Sequence, residues 1–230
     1  MGLSYAEENY LKAILKLSGS PDQTVSTNAI AAHLETSAAS VTDMLKKLGE
    51  KELIEYQRYK GASLSELGYK MATGLVRKHR LWEVFLVQSL GMTWDEVHEI
   101  AEELEHIQSD RLIDSLDAFL GHPKFDPHGD PIPNAQGRYT LRTQVQLSTL
   151  QPGKSGIITG VREDDSTFLK HLSEKGLIIG TRVDVISIDT YEQTHHLEVA
   201  GKAILLSGQI AQHILIKPVE NSVQVNHEPA

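Results

Sequence analysis

The period of the hydrophobic pattern changes near residue 145, and this change limits the folds that the chain can adopt. Before it, apolar residues recur every three or four positions, as on amphipathic helices. After it, they form short glycine-punctuated runs such as TRVDVISI and AILLS, which are typical of strands in a small antiparallel barrel. A helical piece over 166–175 interrupts these runs. We therefore predict an α+β protein, and 230 residues leave room for two or three compact units.

The first seventy residues follow the layout of a helix-turn-helix with a β-wing. A first helix is predicted to begin at Ser4, with Glu7 as its capping-box partner, and to end near Leu17. Two short helices follow, with Thr27 and Ser37 as N-caps, and the second would enter the major groove of DNA. The segment 53–64 predicts two short strands around a turn. A generic small helical domain with solvated lysines is the alternative.

The polar and small residues of this segment are the candidates for contact with DNA. Serine, threonine and lysine side chains reach phosphates and base edges, whereas the apolar positions of the same helices are expected to be buried. The candidates are Thr27, Ser37, Ala39, Ser40, Thr42, Asp43, Lys46 and Lys47, with Arg58 and Lys60 near the tip of the wing.

Histidines and glutamates are concentrated between residues 79 and 106. His79 and Glu83 lie four residues apart on a helix predicted over 65–90, and Thr93 is predicted to cap the next helix. On that helix four residues fall within an arc of about 100°: His98, Glu102, Glu105 and His106. Imidazole and carboxylate groups are ligands for Mn, Fe, Co and Zn ions. The alternative is an amphipathic helix whose charged face is only solvated.

Charge and cysteine content restrict the class of protein further. The formal net charge is −9, and residues 71–140 hold twelve acidic against six basic side chains. An acidic middle that gains divalent cations repels a phosphate backbone less, so the balance is compatible with a metal-controlled nucleic-acid binder. The absence of cysteine excludes disulfides and thiolate ligands. With no signal-peptide pattern and no long apolar run, we expect a cytoplasmic protein without a membrane partner.

The remaining part of the middle region predicts an interface and a loop. A helix over 109–120 leaves an apolar face free, which makes it a candidate for a dimer interface. The segment 121–139 is rich in proline and glycine and is predicted to be a loop. Within it, Asp126 and His128 could be ligands or turn residues.

Several segments together resemble the diphtheria-toxin-repressor family of metal-dependent transcriptional regulators, in particular its manganese-responsive branch. They are EENYLKAIL, VTDMLKKL, KHRLWEVFL, EELEH and HPKFDPHGDPIP, followed by the C-terminal module. The resemblance implies a winged helix-turn-helix domain over 1–72, a helical metal-binding and dimerisation domain over 73–140, an SH3-like β-barrel over 141–220 and a disordered tail over 221–230. It also implies a homodimer that binds operator DNA, with no small organic substrate.

The resemblance further implies two metal sites per subunit. One would consist of His79, Glu83 and His98, completed by Asp164 or its neighbour Asp165. The other would consist of Glu102, Glu105 and His106, and Asp126 matches a further ligand of some manganese-sensing relatives. Iron-directed members often carry a thiol at the position of Glu102, so a carboxylate there favours Mn²⁺ over Fe²⁺. The expected function is a manganese-activated repressor of metal-uptake genes, with an iron-responsive regulator as the alternative.

Two residues of the first helix depart from the family pattern. Asn9 stands where manganese-responsive relatives usually have an aspartate, so we expect an uncharged amide ligand there, or replacement by Glu8 or a water. Lys12 occupies a position that is acidic in some members with a closely spaced binuclear cluster, which argues against that arrangement here.

Two other classes of protein are alternatives to a regulator. A carboxylate-bridged dimetal enzyme needs two Glu-x-x-His helices and two more glutamates. Glu103 and His106 provide one such pair, but Glu192 and His195 lie in a β-rich stretch that cannot face it across a bundle. The second alternative is an interaction scaffold whose SH3-like module binds a partner peptide.

Overall fold

The computed structural model describes residues 2–19, 23–57 and 60–219 of the chain. Its internal contacts divide the chain into two compact units, each with its own hydrophobic core. The first unit contains residues 1–90, 99–124 and 131–140, and the second contains residues 91–98, 125–130 and 141–230. The tail predicted over 221–230 lies outside the described residues.

The first unit begins with three helices and a two-stranded wing. Ser4 and Glu7 form the predicted capping box, and Ser37 caps the third helix as predicted. Ser26 caps the second helix, so the prediction of Thr27 as the cap was wrong by one residue. Serine and threonine are both good caps, and sequence alone does not separate neighbours. The elements are α1 (Tyr5–Leu17), α2 (Thr27–His33), α3 (Ala38–Glu50), β1 (Ile54–Gln57) and β2 (Gly61–Leu64).

The wing is joined to the helices through its second strand. β1 and β2 pair antiparallel, and Val25, ahead of α2, forms a further bridge to Ala62. Gly61 has a φ of 104°, and a Cβ atom there would lie 2.2 Å from the Val25 carbonyl oxygen. Only glycine therefore fits this position. Arg58, predicted near the tip of the wing, lies outside the described residues.

Three further helices follow the wing: α4 (Glu66–Leu90), α5 (Val97–Leu104) and α6 (Asp110–Phe119). The first turn of α4 packs closely on the segment before β1, because a Cβ atom on Gly68 would lie 1.9 Å from the Leu53 carbonyl oxygen. A separate core cluster joins α4 to α6. Its buried members are Leu81, Val84, Ile113, Leu116 and Ile132.

The helix predicted to carry the ligands is shorter than expected. Thr93 does hydrogen-bond to the Glu96 carboxylate, but α5 begins only at Val97 and ends at Leu104. Glu105 and His106 lie in the turn that follows, where the Ile107 N–H donates to the Leu104 carbonyl oxygen at 3.2 Å. This hydrogen bond spans three residues and not the four of an α-helix, so the helix ends in a tighter turn.

The described residues of the second unit contain the predicted antiparallel strands, which pair into one sheet. Six strands pair in the order β3-β8-β4-β5-β6-β7 around an apolar core that includes Ile158, Leu172 and Leu197. The predicted helical piece is α7, whereas α8 was not predicted. The elements are β3 (Val145–Gln146), β4 (Ser155–Val161), α7 (Ser166–Glu174), β5 (Arg182–Asp189), β6 (Thr194–Val199), β7 (Lys202–Ser207), α8 (Gly208–His213) and β8 (Ile214–Val219).

Among the described residues, no helix combines the length and the apolar character that a membrane span requires.

Candidate metal centre

Glu8 on α1 holds His106 from the turn after α5. The Glu8 Oε2 atom lies 2.5 Å from His106 Nδ1, and its Oε1 accepts a hydrogen bond of 2.7 Å from Gln108 Nε2. The Tyr5 ring stacks on the imidazole with centroids 4.3 Å apart. Because Nδ1 of His106 is engaged by a carboxylate, Nε2 is the ring nitrogen suited to a metal.

A second group forms around His79 on α4. The ligand atoms of His79, Glu102 and Glu105 lie within 4.8 Å of one another, the spacing of side chains that can share a metal ion. His79 Nδ1 is 2.8 Å from Glu105 Oε2, and its Nε2 is 3.0 Å from Glu83 Oε1. Burial alone would lower the pKa of His79, but the hydrogen bonds to Glu105 and Glu83 raise it to about 9. Near neutral pH His79 is therefore an imidazolium between two carboxylates.

The Lys12 side chain of α1 enters the same group. Its Nζ lies 2.5 Å from Glu102 Oε1, 2.6 Å from Glu105 Oε2 and 3.4 Å from His79 Nδ1. The sequence predicted only that Lys12 disfavours a binuclear cluster. It did not predict this pairing, because residues 12 and 102–105 are far apart in the chain and no short-range pattern joins them.

Among the described residues of this unit, two buried side-chain oxygen atoms have no hydrogen-bond partner. They are Asn9 Oδ1 and Glu105 Oε1. A buried carbonyl or carboxylate oxygen without a donor is unfavourable, and a bound cation would satisfy it. Since oxygen and imidazole nitrogen are the donors that a hard divalent ion accepts, the side chains of this unit fit such an ion.

The other predicted ligands belong to the second unit. His98, Asp126 and Asp164 all lie there, so their grouping with His79 and Glu83 stays a prediction. Asp126 Oδ1 accepts hydrogen bonds from the His128 and Asp130 N–H groups at 2.8 and 2.9 Å, as expected for a turn residue. Asp165 caps α7 by accepting from the Thr167 and Phe168 N–H groups, whereas Asp164 is exposed.

The predicted DNA-facing residues mostly lie on the surface. Thr27 and Thr42 are half-buried, and the exposed ones are Ser37, Ala39, Ser40, Asp43, Lys46, Lys47 and Lys60. The Thr42 hydroxyl donates to the Ala38 carbonyl oxygen at 2.8 Å, and Lys46 pairs with Asp43 at 3.0 Å.

Glu7 forms an ion-pair cluster that sequence reasoning missed. Its Oε1 lies 2.6 Å from Lys51 Nζ, at the end of α3, and 3.2 Å from Lys47 Nζ within α3. Glu7 is only 1% exposed. Burial alone would raise its pKa, but the hydrogen bonds from Lys51, the Ser4 N–H and Lys47 lower the pKa to about 2. Lys47 therefore connects the candidate recognition helix to α1.

Family profiles match three consecutive parts of the chain. Residues 2–62 match the N-terminal DNA binding domain of iron dependent repressors, and residues 65–134 match their metal binding and dimerisation domain. Residues 145–218 match the FeoA domain. These matches confirm the α+β class, with an N-terminal DNA-binding domain, a helical dimerisation domain and a C-terminal SH3-like domain.

The similar proteins are mostly metal-dependent regulators. The chain is 30% identical over 168 residues to the iron-dependent repressor IdeR of Mycobacterium leprae, covering 68% of this chain and 73% of that protein. It is 46% identical over 71 residues to a probable metal transport system membrane protein of Chlamydia trachomatis, covering 31% of this chain but only 16% of that protein. A solved manganese-dependent transcriptional repressor in complex with manganese has a TM-score of 0.79 and is 33% identical, covering 93% of this chain and 100% of that one.

These matches decide between the classes of protein that the sequence left open. The family consists of DNA-binding regulators that bind divalent metals and dimerise, and not of enzymes, which excludes the carboxylate-bridged metalloenzyme. The DNA-binding, metal-binding and FeoA segments follow one another in this chain, and the similar repressor structure aligns with 93% of it. The chain therefore belongs to the diphtheria-toxin-repressor family and is a metal-dependent transcriptional repressor.

Proposed function

We propose that this repressor is activated by Mn²⁺, acts as a homodimer in the cytoplasm and controls genes for metal uptake. The observation that carries the proposal is the group of His79, Glu102 and Glu105, which offers oxygen and nitrogen donors without sulfur. Such a donor set favours a hard ion, and the sequence contains no cysteine. Fe²⁺ is the second candidate, because similar proteins include both iron-dependent and manganese-dependent repressors.

The proposal keeps two metal sites per subunit and divides this group between them, with His79 in one site and Glu102 and Glu105 in the other. We assign Glu102, Glu105 and His106 to the sensing site, with the Asn9 amide as an uncharged donor. The side chains proposed for the other site are His79, Glu83, His98 and Asp164, with Asp126 as a further candidate. His79 must lose its proton before it can ligate, since both its nitrogens face carboxylates. A bound metal supplies two positive charges to this acidic cluster.

The proposed route from metal to DNA runs through α1. Glu8 and Lys12 contact the sensing residues, while Glu7 contacts Lys47 on α3, the candidate recognition helix. A change in how α1 is held at the sensing residues therefore alters the position of α3. On α6, Leu112 and Phe119 are 39% and 71% exposed, and we propose them as part of the dimer interface that sets the spacing of two α3 helices on a two-fold operator.

Fluorescence anisotropy with a duplex selected from a randomised pool in the presence of Mn²⁺ tests this function. We expect the Kd for DNA to be at least about tenfold lower in Mn²⁺ than in chelator, as is usual for coupled sites. Fe²⁺ is titrated in parallel without oxygen, and a stronger response to Fe²⁺ at equal free concentration would move the assignment to iron. Equal affinity in chelator and in Mn²⁺ would overturn metal activation.

In the same assay, substitutions distinguish the residues proposed to bind the metal from those proposed to contact DNA. Glu105→Gln and His106→Ala are expected to lose the Mn²⁺ response, whereas Glu103→Gln, which changes an exposed carboxylate on α5, should keep it. Lys46→Ala should weaken DNA binding in Mn²⁺ and leave the Mn²⁺ affinity of the free protein unchanged. An intact response in Glu105→Gln and His106→Ala would show that the sensing site is elsewhere.

A further inference from the structure

The Lys12 ammonium lies where the carboxylates of the candidate metal centre converge. Glu102 Oε1 and Glu105 Oε2 both lie within 2.6 Å of Lys12 Nζ. The Glu105 side chain is fully buried, and that of Lys12 is 19% exposed. Two carboxylates therefore share one positive charge supplied by the first helix.

An ammonium and a divalent ion cannot use these two oxygen atoms together. Divalent ions bind carboxylate oxygens at about 2.0–2.2 Å, so an ion bound to both would overlap the volume of Nζ. The two positive charges would also repel each other strongly in a cluster this poorly exposed to solvent. Binding of the metal through Glu102 Oε1 and Glu105 Oε2 therefore requires Lys12 to withdraw.

The position of the Lys12 ammonium in the cluster is favourable when no metal is bound. A buried carboxylate such as Glu105 is unfavourable without compensating charge, and the ammonium provides this charge together with the His79 imidazole, whose Nδ1 lies 2.8 Å from Glu105 Oε2. The side chain is anchored on α1, whose 13 residues form a regular helix with a side-chain N-cap. The local concentration of the Lys12 ammonium group at the carboxylates is therefore set by the fold and does not depend on the concentrations of ions in solution.

We propose that Lys12 is a tethered competitor of the metal, which raises the concentration of divalent ion needed to activate the repressor. This inference rests on the proposed function, because it concerns the affinity of the same sensing site. In this role Lys12 lowers the affinity of the site for the metal and is not itself a ligand. Its ammonium holds Glu102 and Glu105 until a divalent ion replaces it.

The Mn²⁺ affinity of the full-length protein without DNA tests the inference. Free Mn²⁺ is measured by electron paramagnetic resonance at constant pH for the wild type and for Lys12→Met, which keeps the chain length and removes the charge. We expect Lys12→Met to bind Mn²⁺ about tenfold more tightly. Lys12→Arg keeps the charge and should stay close to the wild type, as should Lys16→Met, a control on the exposed side of α1.

Thermal unfolding in chelator provides a second measurement that does not depend on metal. Lys12→Met should have a lower Tm than the wild type, because Glu105 loses one of the two positively charged groups that contact it, and Mn²⁺ should raise its Tm by more. If Lys12→Met does not fold, the Mn²⁺ affinity and the thermal unfolding are measured on Lys12→Gln.

The outcomes separate this inference from the proposed function. If the wild type binds Mn²⁺ and the neutral variants bind it equally or more weakly, Lys12 is not a competitor, although the proposed function stands. If neither the wild type nor the neutral variants bind Mn²⁺, both proposals are overturned.

Discussion

Glu7 is a buried carboxylate whose charge is maintained by two lysines and one backbone N–H group. Its folded-state pKa of about 2 is well below the ordinary value of 4.5. A group whose pKa is depressed by folding stabilises the protein above its unfolded-state pKa, and this contribution is lost as the pH falls through the folded-state value. The Glu7 contribution is therefore fully present above about pH 5 and declines towards pH 2.

Glu7→Gln should reduce the free energy of unfolding by about 2 kcal/mol at pH 7, the range for hydrogen bonds to a charged group. Urea unfolding at several pH values between 7 and 3 measures this difference, which should shrink as the pH falls. Glu50→Gln, which alters an exposed carboxylate at the end of α3, should have little effect at any pH. A loss that is equally large at pH 7 and pH 3 would contradict the assigned role of the Glu7 charge.

Single residues also show how far the sequence could predict the site. His79, Glu105 and His106 were singled out as candidate ligands because histidine and glutamate at helical spacing are typical of metal sites, and their role as ligands stays a prediction. The partners of Glu7 and Lys12 were not identified, because α1 meets α3 and the turn after α5 only through tertiary packing. Asn9 was recognised as a departure, but only the structure shows that its Oδ1 is buried without a partner.

At the level of elements, α4 contains two glycines in opposite surroundings. A Cβ atom on Gly68 would lie 1.9 Å from the Leu53 carbonyl oxygen, whereas one on Gly74 would meet no atom within 4 Å. Alanine is favoured over glycine inside a helix by about 1 kcal/mol when nothing obstructs it. The same substitution is therefore expected to have opposite signs at these two positions.

Gly68→Ala should destabilise the protein by about 2 kcal/mol or more, because the first turn of α4 must move away from the wing segment. Gly74→Ala, the matched control on the same helix, should stabilise it by up to about 1 kcal/mol. Urea unfolding at pH 7 measures both effects. Stabilisation by Gly68→Ala would mean that α4 does not pack against Leu53 as described.

The start of a helix was predictable where one residue stood out as its cap, but not at α2, where Ser26 and Thr27 are both good caps. Ser4, Ser37 and Ser109 are such caps, and each accepts a hydrogen bond in the first turn of its helix. The end of α5 was not predictable, because EELEHIQ contains no residue that stops a helix. The six-residue α8 was missed because the short segment GQIAQH lies between two apolar runs that predict strands.

For the whole molecule, metal binding and DNA binding must affect each other equally. If Mn²⁺ tightens operator binding by a given factor, operator DNA must tighten Mn²⁺ binding by the same factor. This reciprocity holds whatever the structural route between the two sites. It therefore tests the regulatory function independently of the assignment of individual ligands.

The Mn²⁺ affinity measured with a saturating concentration of selected duplex should exceed that of the free protein by the factor found in the anisotropy titration. A scrambled duplex of equal length serves as the control and should have a much smaller effect. If selected and scrambled duplexes change the Mn²⁺ affinity equally, the coupling is electrostatic and does not reflect operator recognition.

In the proposed mechanism, the contact of α1 with the sensing residues and its contact with α3 lie next to each other in the chain. Glu7 contacts α3 and Glu8 contacts His106, so a single peptide bond separates the two tasks. The proposed coupling between these two contacts does not have to pass through the hydrophobic core. What it requires is that one helix of 13 residues, about 20 Å long, moves as a rigid body. The proposed coupling therefore depends on the integrity of this one short helix.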